Sequence, residues 1–186
     1  MKPLAAAVVF SLIAGSAQAR SDVPALVTRW DTAVLIQAAE ALEAKDVAAK
    51  RDDDGRPYVS GESADGLLFV FYPTACEAEP TAKAPAGTDK PKAKPLDGPC
   101  YGMEAVVTYD TEGKSEADRS KLVDQLNRDF ALGKFTIDSD QSIVLSRYLV
   151  FDDGVTRGNL EAELSNFLAV GTAAAGKIWP RDDKAD

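Results

Sequence analysis

The residue types available for chemistry are narrow: the 186-residue chain contains no histidine. That excludes a Ser-His-Asp triad, a Cys-His pair and any histidine-ligated metal. What is left is carboxylates, lysines, serines, tyrosines and two cysteines, Cys76 and Cys100. The cysteine spacing is neither C-x-x-C nor zinc-like, and no histidine could activate a thiolate. Paired carboxylates occur at Asp138/Asp140 and Asp152/Asp153. Acid/base work needs such pairs in a cleft with shifted pKa values. Both pairs fall where strands end and turns begin, the usual place for aspartates that bond backbone.

Other candidate motifs fail on their own spacing. Gly113-Lys114-Ser115 lies between a strand and a helix, as a phosphate loop would, but position 108 is Thr108 where that loop needs glycine. Asp110 and Glu112 would also repel phosphate. Asp52-Asp53-Asp54-Gly55 resembles part of a calcium loop. With Gly55 in the sixth place, Lys50 and Gly61 occupy the first and twelfth ligand positions, and both are wrong. A solvated turn is the simpler reading. Ser60 in Val-Ser-Gly lacks the glycine two residues earlier that a nucleophile elbow requires. Trp30, Trp179, Phe69, Phe71 and Tyr148 suit core roles. These residues name no catalytic group, metal ligand or cofactor.

The N-terminus reads as a secretory signal peptide, residues 1–19. Lys2 is the positive start, Leu4 to Ala14 an apolar core, and Ala17-Gln18-Ala19 an A-x-A cleavage site. That core is about half the ~20 residues a spanning helix needs. The mature chain then starts at Arg20, in the periplasm or outside the cell. Loss of Lys2 leaves 20 basic against 30 acidic residues, net −10. Such a surface repels nucleic acid and anionic lipid. An oxidising compartment permits a Cys76–Cys100 disulfide, worth roughly 3–4 kcal/mol by chain entropy.

Apolar spacing predicts the elements. A helix starts near Val27, capped by Thr28 or Asp31, with Val27, Trp30, Val34, Leu35, Ala38, Ala41 and Leu42 inward. Strands follow at Arg56 to Gly61, Leu67 to Tyr72 and Tyr101 to Tyr109. The nearly continuous apolar run of the second suits a strand buried on both faces. Glu77 to Pro99, rich in proline and lysine, reads as a long mobile loop closed by the disulfide. A helix over Glu116 to Leu132 is ended by Gly133. Strands at Phe135 to Asp138 and Ile143 to Phe151 lead to a last helix from Thr156. Residues 20–180 form one domain, and 181–186 a flexible tail. The order, helix-β-β-β-helix-β-β-helix, implies an α+β fold with an antiparallel sheet of about five strands and three flanking helices.

Several segments resemble the YbjN domain. Asp54-Gly55-Arg56-Pro57 matches a "D-G-x-P" turn, and Phe71-Tyr72 with Cys76, followed by Cys100 and Gly102-Met103, continues the first half. Leu126-Asn127-Arg128, Lys134 and Asp138 resemble a "W-N-x-x-x-R-F-x-K-x-Y-x-D" segment. Leu145, Tyr148 and Asp153-Gly154-Val155 resemble "L-x-x-D-x-x-x-x-G-G-V". Leu126 replaces the tryptophan, Leu132 the phenylalanine, and Asp153 the first of two glycines. The resemblance spans about residues 27 to 178. It implies a fold like type III secretion chaperones and a sensory-transduction or stress-linked regulatory role, with no catalytic residue to carry over.

The expectation is therefore an exported, non-enzymatic binding module of the bacterial envelope that contacts another protein, with a homodimer as a further option and no membrane span. The alternative is a carboxylate-based envelope hydrolase or carbohydrate-active enzyme. Intact mass of the exported protein should show loss of residues 1–19, and alkylation without reductant should label neither cysteine; free thiols would remove the disulfide.

Overall fold

A computed structural model describes residues 26–77 and 98–180. The leader (1–19), most of the loop between the cysteines and the tail (181–186) lie outside the described residues.

The chain builds β1 (Leu26–Val27), α1 (Thr32–Glu40), β2 (Lys45–Arg51), β3 (Pro57–Glu62), β4 (Leu68–Cys76) and β5 (Cys100–Tyr109). Next come α2 (Glu116–Asp129), β6 (Lys134–Ile137), β7 (Ile143–Val150), β8 (Val155–Thr156) and α3 (Arg157–Ile178). Six strands form one antiparallel sheet in the order β2-β3-β4-β5-β7-β6, and β1 pairs with β8 separately. The fold is α+β, as expected.

Alternation sets the layers. Phe69 and Phe71 of β4, Met103, Ala105, Val107 and Tyr109 of β5, and Ile143 and Leu145 of β7 are buried. They meet Val34, Leu35 and Ala38 of α1, Leu126 of α2, and Leu160, Leu164 and Phe167 of α3 in one core. All three helices cover the same side of the sheet. α3 can lie close because position 171 is glycine: a Cβ there would sit 2.5 Å from Leu67 Cδ2. Beside it the buried Tyr109 hydroxyl donates to the Gly171 carbonyl at 2.9 Å. Burial pushes that phenol far above its ordinary range. Arg147, inward on β7, donates to the Leu132 carbonyl and pairs with Glu163 of α3.

Three helix starts carry side-chain caps. Asp31 accepts from the Ala33 and Val34 amides, Ser115 from Asp118, and Thr156 from Asn159. Asp153 and Gly154 both have positive φ, 62° and 87°. Aspartate tolerates that conformation better than most residues, so Asp153 can stand where a glycine would.

Four expectations need correction. The first helix ends at Glu40, and Lys45–Arg51 is an added strand that turns at Asp52–Gly55 to pair with β3. α2 stops at Asp129, well before Gly133, with an extended Phe130 as its C-cap whose amide donates to the Leu126 carbonyl. Gly133 instead permits close approach: a Cβ there would meet Leu145 Cδ1 at 2.5 Å. β4 is buried on one face only. Tyr148 and Trp179 are exposed rather than core residues.

The Asn127 side chain behaves like a short length of strand. Its Nδ2 donates to the Phe135 carbonyl at 3.0 Å and its Oδ1 accepts from the Phe135 amide at 2.9 Å. It thereby satisfies the outward amide and carbonyl of Phe135 on β6, the sheet's edge. Asn127→Ala should lower the unfolding free energy by about 2 kcal/mol, two hydrogen bonds at about 1 each; Arg128→Ala should change it little. Urea denaturation of both variants checks this.

Candidate functional site

Among the described residues no helix packs on the second face of the sheet, the one that the core does not use. Its residues are the partners, one position out of phase, of those buried under the helices. Leu68, Val70 and Tyr72 come from β4, Glu104 and Val106 from β5, and Val144, Tyr148 and Val150 from β7. Leu68 is 69% exposed, Tyr148 58% and Val150 59%.

Register places these groups in rows across the strands. Tyr72 lies opposite Glu104, and Glu104 opposite Tyr148. Tyr58 of β3 extends the row, its ring 5.7 Å from that of Tyr72. Val70 lies opposite Val106 in the next row, and Val106 opposite Ser146. Cross-strand neighbours of this kind stand roughly 5 Å apart, within side-chain contact. Burial pushes the Tyr72 phenol up, with Tyr58, Asp52 and Glu104 adding and Arg56 opposing. A shallow recess lined by Arg56, Tyr72, Pro73, Thr74 and Glu104 opens beside the row, with a volume of about 310 Å³. Arg56 is held by Asp52, Nε to Oδ2 at 2.7 Å. The face thus offers aromatic and aliphatic contact around one carboxylate.

The cysteines are joined. Cys76 and Cys100 are register partners on β4 and β5, bridged at 2.05 Å. Just beyond, the Glu77 amide donates to the Pro99 carbonyl at 3.0 Å, and the Trp30 amide to the Cys100 carbonyl at 2.7 Å. The bond closes the base of the β4–β5 hairpin and fixes the segment that enters α1.

The carboxylate pairs organise turns. Asp140 accepts from the Ser142 amide and hydroxyl at 2.9 and 2.6 Å, which hold its carboxyl below the ordinary range. Asp138 accepts from the Ser139 amide at 2.6 Å. Asp152 and Asp153 line a cleft of about 400 Å³ with Arg29, Asp31 and Tyr101. Tyr101 donates to Glu77 there at 2.9 Å, which raises its pKa. Asp52 accepts from the Asp54 and Arg56 amides at 3.0 and 2.8 Å. Desolvation raises its pKa, but these bonds and the Arg56 guanidinium lower it overall. The Asp52–Gly55 segment is therefore a self-bonded turn. Gly113-Lys114-Ser115 is a turn followed by a helix cap: the Lys114 amide donates to the Thr111 carbonyl at 3.0 Å, and Ser115 caps α2. Ser60 sits on the open face opposite Val70. Among the described residues no cluster of three or more acidic or cysteine side chains is placed to hold a metal, and no helix is long and apolar enough to cross a membrane.

Sequence reasoning singled out the cysteines and carboxylates as candidates, named Tyr72 only within a resemblance motif, and passed over Tyr58 and Glu104. A signal existed for Glu104: Met103 and Ala105 point inward, so position 104 must point out.

Residues 108–175 match the model of the YbjN family, described as "Putative bacterial sensory transduction regulator". The match takes in Asn127, Lys134, Tyr148 and the Asp153-Gly154 turn; the earlier motifs from Asp52 to Met103 lie outside it. No curated protein sequence matches the chain. The chain is similar in structure to an uncharacterized protein from Methanothermobacter thermautotrophicus, at 11% identity and a TM-score of 0.48, over 80% of this chain and 96% of that one.

The turn role of Asp140 has a pH signature. Its folded pKa is below the unfolded value of about 3.9, so its stabilisation is present above about pH 4 and lost as pH falls through the lowered value. Asp140→Asn should lower the urea midpoint at neutral pH, and the variant and parent should converge toward pH 2. A gap that persists at low pH would assign the effect to packing.

Proposed function

We propose that this protein is an exported, non-enzymatic regulatory module that docks another protein on its uncovered sheet face. The observation that carries the reading is that face itself. Leu68 on β4 and Tyr148 and Val150 on β7 are well exposed on the two sides of β5, on strands whose other face is the core. Contiguous apolar surface of this kind marks interaction sites in soluble proteins. Six strands about 4.8 Å apart and about eight residues long give a face of roughly 600 Å². That approaches the ~800 Å² each partner contributes to a standard interface.

The regulator description of the matched family supports the same reading. The A-x-A leader and the disulfide favour the periplasm or exterior. The paired carboxylates that an enzyme would need serve backbone turns instead, or stand exposed at Asp152 and Asp153.

Affinity capture from an envelope extract tests the docking. The mature protein should retain a partner that the Tyr148→Ser/Val150→Ser double variant loses. Asn166→Ala, an exposed change on α3, should retain it. Both variants should keep the parent's urea midpoint, because the altered side chains are exposed. Equal capture by the double variant would exclude this face.

A further inference from the structure

The centre of the open face has a chemistry of its own. Glu104 is half-buried between Tyr72 and Tyr148. Among the described residues it makes no ion pair and no side-chain hydrogen bond. A partly desolvated carboxylate without a partner is costly, and a bound cation removes that cost. The guanidinium lining the same recess does not do so: Arg56 is held by Asp52 at 2.7 Å and lies 3.7 Å from Asp54. The recess beside Glu104 also contains Thr74, whose buried Oγ1 has no hydrogen-bond partner. Tyrosine rings on either side of the carboxylate are suited to a cation with an aliphatic stem, through cation–π contact and apolar packing.

Resting on the docking role of this face, we propose that the partner presents a lysine or arginine side chain, flanked by apolar residues, to Glu104 between Tyr72 and Tyr148. Charge favours this over a second copy of the chain. A face-to-face copy would bring another Glu104 to the same apolar layer, in a protein of net charge −9. The same sign disfavours an acidic partner.

Panning short random displayed peptides against the disulfide-bonded mature protein tests it. The recovered peptides should be enriched in lysine or arginine next to valine, leucine or aromatic residues. Glu104→Gln should weaken the best of them about tenfold, the scale of one charged hydrogen bond. Glu40→Gln, an equal loss of charge at the end of α1, should leave affinity unchanged, which separates local pairing from bulk acidity. Recovery of nothing, recovery of peptides without basic enrichment, or affinity indifferent to Glu104→Gln would each overturn the cation assignment. If peptides of any composition bind and Tyr148→Ser abolishes that binding, the open face still docks a partner. If Tyr148→Ser changes nothing either, the docking face itself is wrong.

Discussion

The contact between α3 and the middle of the sheet sets the rest of the molecule. At Gly171 the helix has no side chain, so its backbone comes down onto Leu67 and Val107, and the Tyr109 hydroxyl bonds the Gly171 carbonyl. A buried phenol needs such an acceptor, and a methyl group in its place would push the helix off the sheet. From that anchor α3 fixes its neighbours. α1 packs beside it in the shared core, Glu163 reaches Arg147 on β7, and Lys177 pairs with Asp129 at the end of α2. The Lys177 ammonium also lies 5.3 Å from the centre of the Phe130 ring. The helical layer is thus tied to the sheet through one side, and among the described residues the other side carries no helix.

The disulfide acts at the opposite end. Cys76 and Cys100 close the hairpin of β4 and β5, the two strands that carry most of the sheet's own inward core residues and half of the outer row. The Trp30 amide bonds the Cys100 carbonyl, so the same point orients the entry to α1. Core, hairpin base and first helix therefore depend on one another. Glu104 and Tyr72 lie between these two anchors, which hold the outer row in place.

Local signals were legible where the physics is local. Ser115 and Thr156 announce helix starts by their own hydroxyls, Asp152-Asp153-Gly154 announces a turn, and the alternation of Met103, Ala105 and Val107 announces a strand. What remained hidden was decided by partners distant in sequence. Val47-Ala48-Ala49 carries no strand pattern, and alanine favours helix. It becomes strand because the Asp52–Gly55 turn folds it back on β3. Leu67 to Tyr72 looks buried on both sides because nothing in those residues says that every helix will land on one. The outer row escaped notice for the same reason: Tyr72, Glu104 and Tyr148 are ordinary until register sets them side by side. Gly133 looked like a helix stop, but its role is set by Leu145.

The Asn127 amide gives the sheet unequal ends. At β6 the outward amide and carbonyl of Phe135 are occupied by a side chain that offers no further strand. At β2 the edge is backbone, interrupted by a register shift between Lys45 and Ala48 and bordered by Lys50 and Arg51. A strand laid against β6 would find the Phe135 amide and carbonyl already bonded, whereas one laid against β2 would meet free backbone, so edge pairing between copies favours β2. The apolar sheet face is thus bordered by one edge that a single side-chain amide has partly closed and one that stays available.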